Sequence, residues 1–136
     1  WQSPTGYVDG ESKWGSEVDA YDEDVGDEAW TIWKAAYLEL TRVALNCDKV
    51  RVYVSVSIFG SPNYDVDVYY SGGWHNIHSG ESANKEWVEF AVGSTESITA
   101  MRLKHNSGGM GNFQWWEADF NQVAAPPSAR RIFITQ

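Results

Sequence analysis

From residue 36 onward, apolar and polar side chains alternate one for one along much of the chain. The clearest stretch is 49–57, where Val50, Val52, Val54 and Val56 alternate with Arg51, Tyr53 and Ser55. A period of two carried by β-branched residues predicts a half-buried strand with the valines on its inner face. Residues 64–70 repeat the pattern, with Val66 and Val68 inward and Asp65 and Asp67 outward. Shorter runs predict strands over 37–43, 74–78, 87–92, 98–104 and 113–121. Turn-forming residues separate them, at Gly60-Ser61-Pro62-Asn63, Ser71-Gly72-Gly73, Ser79-Gly80, Gly93-Ser94 and Asn106-Ser107-Gly108-Gly109. Short strands divided in this way predict an all-β protein, an antiparallel sandwich or barrel. The one candidate for helix, 27–36, is too short to build a core.

Composition narrows the picture. The chain has 136 residues, 43% of them hydrophobic and 21% charged. That length suits one domain able to bury roughly two-thirds of its unfolded surface without disulfide staples. No stretch approaches the roughly 20 apolar residues of a membrane span. Cys47 stands alone, which excludes an internal disulfide and a cysteine-based zinc site. Nine acids in residues 1–30 (Asp9, Glu11, Glu17, Asp19, Asp22, Glu23, Asp24, Asp27, Glu28) face a single base, Lys13, and account for nearly all of the net charge of −9. Such a balance argues against nucleic acid, whose phosphates need clustered Lys and Arg. Trp14, Tyr21 and Trp30 are interleaved with the acids, so the acidic lead-in 1–30 is expected to fold as a loop. The chain starts at Trp1 with no leader pattern, which reads as a module processed or cut from a longer polypeptide. At the other end, 124–136 reads as a Pro/Ala linker followed by a strand or tail at 130–135, able to pair with a neighbouring subunit.

Taken in order, several motifs carry a resemblance. The run Asp19-Ala20-Tyr21-Asp22-Glu23-Asp24, then Asp27 and Trp30, is followed by Tyr37-Leu38-Glu39-Leu40 and Val50-Arg51-Val52-Tyr53. Next come Val66-Asp67-Val68-Tyr69-Tyr70-Ser71, Trp87-Val88-Glu89-Phe90, Met101-Arg102-Leu103 and Trp116-Glu117-Ala118-Asp119-Phe120. Over residues 14–123 this order resembles discoidin, or coagulation factor 5/8 type C, domains. The resemblance implies a galactose-binding-like jelly-roll β-sandwich spanning 1–123. It also implies Trp30, Trp87 and Trp116 in the interior, and ligand-binding loops at one end, corresponding to about 31–36, 58–63 and 105–114. A structural Ca²⁺ on the acidic loop is implied too, with Asp22, Asp24 and Asp27 as ligands and Glu117 closing the site. The chain departs from the family at Glu23, where Gly is preferred, and lacks the terminal disulfide.

Catalytic chemistry finds little footing in the residues. The acids crowd into one loop, whereas glycosidase carboxylates face each other roughly 5–9.5 Å apart. His75 and His78, three apart on a strand, are expected on opposite faces. No nucleophile elbow, phosphate-cradling glycine loop or Cys/His pairing stands out.

The aromatic content, eight Trp, seven Tyr and five Phe, is more informative. Aromatic faces with polar neighbours suit sugar rings, whose C–H faces stack while the hydroxyls bond. In the turns these are Trp33, Phe59, Trp74, Phe113 and Trp115, with His105, Asn106 and Asn112 beside them. Trp33, Phe59, His105, Asn106, Asn112 and Trp115 are the candidate ligand-binding set. Strand alternation groups Trp116 with Ala118 and Phe120 inside, and Trp115 with Glu117 and Asp119 outside.

The expected function is a non-catalytic extracellular recognition module for a glycan or cell-surface polysaccharide. The alternative is a structural or adhesion part of a larger assembly, such as a bacteriophage tail or capsid decoration, joined through 130–135. Either role places the chain outside the cell or on a cell or virion surface.

Overall fold

A computed structural model describes residues 1–57, 60–106 and 112–124. These residues form β1 (Gly6–Val8), β2 (Ala29–Thr31), β3 (Tyr37–Val56), β4 (Asn63–Tyr70), β5 (Gly73–Glu81), β6 (Glu86–His105) and β7 (Phe113–Gln122), with a 3₁₀ turn at Glu17–Ala20. Every pairing is antiparallel. The candidate tail at 130–135 lies outside the described residues.

β3 and β6 are 20 residues each. Each joins two of the expected strands, 37–43 with 49–57 and 87–92 with 98–104. Their mutual register slips between Thr41 and Leu45 and between Cys47 and Lys49. There the pair turns a corner and passes from one layer of the sandwich to the other. The first half of β3 lies between β1 and the second half of β6, which continues to β4 and β5. The second half lies between the first half of β6 and β7, which continues to β2. The result is a jelly-roll β-sandwich, as the alternation and the motif order imply. No helix forms over 27–36. Ala29 and Thr31 are buried with Trp30 exposed between them, a period of two that makes 29–31 an edge strand against β7.

Between the layers, Val50, Val52 and Val54 meet Leu38, Leu40, Val66, Val68, Met101, Leu103 and Phe120, all fully buried. Val56, the last residue of β3, is only partly buried. On the outer faces, one arginine per layer covers a buried aspartate. Arg102 Nε lies 2.8 Å from Asp67, with the guanidinium 4.0 Å from the Tyr37 ring and 4.3 Å from the Trp74 ring. Arg51 lies 2.7 Å from Asp119, with Trp1 at 4.4 Å and Trp87 at 4.0 Å.

The two adjacent tryptophans of β7 face opposite to expectation. Val54 stands across from Trp115 and Tyr53 across from Glu117, so Trp116 is an extra residue without an opposite partner. That β-bulge shifts the alternation by one. Trp115 therefore joins Ala118 and Phe120 inside at 0% exposure, its ring 6.3 Å from that of Trp14 and its indole N–H donated to the Glu117 carbonyl at 3.1 Å. Trp116 lies on the outer face, bonded to Ser55 Oγ at 2.7 Å with the Lys85 ammonium 4.6 Å from its ring. Trp87 is half-buried on the same outer face. Trp30 is exposed and covers Gly15, where a Cβ would come within 2.7 Å of the indole.

A second bulge, between Val66 and Asp67 on the β4–β5 pair, sets His75 opposite Val68 and His78 opposite Val66. The two histidines therefore share a face. Their rings stack on Tyr70 at 3.7 Å and on Phe90 at 4.3 Å, which occupies them in packing.

Because Trp115 fills the core, Trp115→Ala is expected to lower stability by about 3–5 kcal/mol. Trp116→Ala should have a clearly smaller effect. Urea denaturation of both variants measures the difference, and the reverse order would contradict the bulge.

Candidate functional site

The end of β2, both ends of the β3-to-β4 connection, the β5-to-β6 turn and the flanks of the β6-to-β7 connection all meet at one end of the sandwich. Hydrogen bonds between their backbones hold them in place. Ala35 N–H donates to the His105 carbonyl at 2.7 Å, Asn106 N–H to Asn63 at 2.8 Å and Ser57 N–H to Asn112 at 3.0 Å. Ser82 N–H reaches the Pro62 carbonyl at 3.1 Å, and Asn84 Oδ1 accepts from Val56 N–H at 3.2 Å. A loop fixed at so many points presents its side chains from a rigid base.

Trp33 is the prominent side chain there, 53% exposed beside Ile32 at 58%. Thr31 fixes it locally: its Oγ1 accepts from Trp33 N–H at 3.0 Å and donates to the Lys13 carbonyl at 2.7 Å. This brings the Lys13 ammonium to 5.4 Å from the Trp33 ring. Lys13 is a residue the sequence did not single out. The one available signal was its isolation as the sole base in an acidic run.

The other candidates divide by burial. Asn106 and Asn112 are half-buried at this end. The Asn106 amide donates to Asp65 Oδ1 at 3.0 Å, and Asn112 N–H donates to Ser57 Oγ at 2.8 Å. His105 is buried, with its ring stacked on Phe113 at 5.1 Å. Trp115 and Phe113 are core residues, so neither lies on a surface a ligand can reach. Trp74 lies on the outer face of the β4–β5 layer, away from these loops. Phe59 falls outside the described residues.

The acidic loop packs beside β7. One carboxylate oxygen each of Asp19, Asp22 and Asp27 lies within 4.8 Å of the others. Ligands on opposite sides of one calcium ion stand about 5 Å apart, so this spacing fits a single ion. Asp19 enters the group in place of Asp24, which turns back on its own loop to accept from Gly26 N–H at 2.7 Å. Glu117 braces the loop from beneath, accepting from Asp24 N–H and Ala118 N–H at 3.1 Å each. Burial pushes its carboxyl up to about 8, since little water reaches it to stabilise the charge. Burial, and then repulsion from Asp22 and Asp27, raise Asp19 as well. All-oxygen donors, crowded until the charge on Asp19 is disfavoured, are the chemistry that a hard divalent cation relieves. Glu23, at the position where the family prefers Gly, adopts φ 66, the left-handed region that favours glycine. Its carboxylate accepts from Ser3 Oγ at 3.1 Å.

No protein-family model and no curated protein matches the chain. Solved structures do. A family 32 carbohydrate-binding module of AlyQ, in complex with 4,5-unsaturated mannuronic acid, is 8% identical with a TM-score of 0.71 over 90% of this chain and 98% of that one. A module of the same family from a family 31 glycoside hydrolase of Clostridium perfringens is 9% identical, TM-score 0.68, over 89% and 97%. The family 32 module of C. perfringens NanJ, in complex with galactose, is 13% identical, TM-score 0.64, over 85% and 90%. At these identities the likeness establishes the fold, the galactose-binding-like discoidin sandwich.

His105 supplies a pH test of this end. Burial lowers its pKa from the usual value near 6.5, and Lys34 adds repulsion. The unfolded chain therefore takes up the proton first. His105 contributes its full share of stability above about pH 6.5, and that share falls as pH drops toward the folded-state value. Urea midpoints measured between about pH 7 and about pH 5.5 should decline less steeply in His105→Gln than in the parent. Equal slopes would show that the ring is protonated without penalty.

Proposed function

We propose that this chain is a non-catalytic carbohydrate-recognition module that takes its ligand at the Trp33 end of the sandwich. The observation that carries the reading is an exposed indole held by a rigid loop, with an ammonium group beside it. The ring offers a face to sugar C–H groups, and Lys13 offers a donor to hydroxyl or carboxylate oxygens. Asn106 and Asn112 position the flanks of the β6-to-β7 connection. Neighbours in fold lend support: one is solved with galactose, one with 4,5-unsaturated mannuronic acid, and another is a pectin-binding module. Polysaccharides of this kind belong to an extracellular or surface setting.

The carboxylates favour a binding role over a reacting one. Asp65, Asp67 and Asp119 are each held by a cation, Lys104 at 3.1 Å, Arg102 and Arg51. Those of the acidic loop bond to backbone N–H groups or crowd one another. The structural or adhesion alternative rests on 130–135 and draws no support from the described residues.

We assign a structural calcium ion to the acidic loop. Asp19, Asp22 and Asp27 would hold it, with Glu117 and Asp24 shaping the loop around it. Bound, the ion would neutralise charge and tie the turns of the acidic loop to one another, while the Glu117 hydrogen bond to Asp24 N–H joins the loop to β7.

Two measurements check these assignments. Trp33→Ala should abolish binding on a glycan array while leaving the melting temperature nearly unchanged, because the lost ring is already half in water. Retained binding would move the platform elsewhere. Calcium should raise the melting temperature, and chelator lower it, by an amount corresponding to roughly 2.7 kcal/mol at a hundredfold excess over Kd. Asp22→Asn should blunt that response, whereas a melting curve indifferent to both reagents removes the ion.

A further inference from the structure

Away from the loop end, the outer face of the β3–β6–β4–β5 layer carries a groove of about 350 Å³. Cross-strand register builds it. Thr41, Ala100, Tyr69 and Trp74 stand in one row across four strands. The two residues at one side of that row are short, so the surface dips over Thr41 and Ala100, with Thr99 beside them. Tyr69 and Trp74 form one wall, their rings in edge contact with centroids 5.2 Å apart. Glu39 and Arg42 form the other.

Both walls are braced. Trp74 is supported by the Arg102 guanidinium, which Asp67 holds in turn, and the Asn76 amide donates to Asp67 at 2.9 Å. Arg42 donates through Nη1 to the Ser3 carbonyl at 3.0 Å and through Nε to Val43 at 3.2 Å. The Glu39 carboxylate, half-buried, makes no hydrogen bond or salt bridge with another described residue.

We infer that this groove is a second saccharide-binding site, separate from the loop end and sharing no residue with it. Charge pattern selects the ligand class. An anion would meet Glu39, and a cation would meet Arg42 with Arg102 behind it. A neutral polyol satisfies both walls at once, because each hydroxyl can donate to the carboxylate or accept from the guanidinium and the threonine hydroxyls. The apolar face of a pyranose ring matches the indole wall, and the volume falls within the roughly 300–1,000 Å³ of small-ligand sites. Two sites on one rigid sandwich would let the module engage two points of the same polysaccharide, with a gain in avidity.

The test is a titration of the ¹⁵N-labelled full chain with a fixed panel of neutral saccharides: galactose, N-acetylglucosamine, cellohexaose and galactotetraose. The indole N–H signals of Trp74 and Trp33 are assigned from Trp74→Phe and Trp33→Phe. The Trp74 signal should move saturably with at least one member of the panel and keep that response in Trp33→Ala. Glu39→Ala should weaken it about tenfold, the loss expected for one charge-assisted hydrogen bond, at unchanged melting temperature. A Trp74 signal indifferent to the whole panel, or a titration indifferent to Glu39→Ala, overturns the second site. Movement of Trp33 alone sinks the second site and keeps the loop-end reading. Movement of Trp74 alone upholds the second site, and silence from both overturns it; the loop-end reading is decided separately by the Trp33→Ala glycan array, which includes acidic saccharides.

Discussion

β7 enters the sandwich with two tryptophans in succession, and a regular strand can bury only one of them while exposing the other. The bulge at Trp116 decides which, and much of the molecule follows from it. Trp115 is committed to the core, where it meets Trp14, whose ring also packs on Phe113 at 6.2 Å. Trp14 in turn donates its indole N–H to the Ala36 carbonyl at 3.2 Å, and Asp9 caps the backbone around it at 3.0–3.1 Å. This anchorage folds the acidic segment onto the framework despite its mutual repulsion, and it sets Lys13 beside Trp33. The same extra residue turns Glu117 toward the acidic loop. One inserted residue thus links the core, the exposed platform and the candidate ion site.

The strands were legible because period-two alternation survives wherever pairing is regular, as in Val50 to Val54 or Val66 to Val68. Misreadings cluster where it is not. Counting alternate positions put Trp115 outside and separated His75 from His78, and in both cases a bulge had moved the count by one. Bulges have no reliable mark in the side chains that flank them. The candidate site was readable to the extent that it lies in turns, which is how Trp33, Asn106 and Asn112 came forward. Lys13, Asp19 and the Glu39–Arg42 wall were not readable. Their neighbours are set by cross-strand register and by the path of the lead-in, not by separation along the chain.

The outer faces also explain how a chain of net charge −9 carries so much aromatic surface without gathering its charge there. Arg51 and Arg102 each fill the space between two rings and neutralise a buried aspartate. A guanidinium can stack flat on an aromatic ring while its edge bonds a carboxylate, a combination an ammonium group cannot reproduce. Negative charge is thereby concentrated on the acidic loop, and the broad faces are left close to neutral.

The connectivity has a kinetic consequence as well. Apart from the β4–β5 hairpin, few strands find their main partner nearby in sequence. β3, at the centre of both layers, pairs with β6 and β7, which lie tens of residues further on. Loop closure must precede the reward of contact in such a topology, which places folding on the slow, millisecond-to-second side of single-domain behaviour. On a ribosome the valine-rich second half of β3 emerges with no partner: one edge stays unpaired until residues 86–91 have been made, and the other until residue 122 has. For that interval its best alternative is the same strand of another nascent chain, so the architecture that makes the finished sandwich rigid also makes its synthesis the moment of greatest exposure to aggregation.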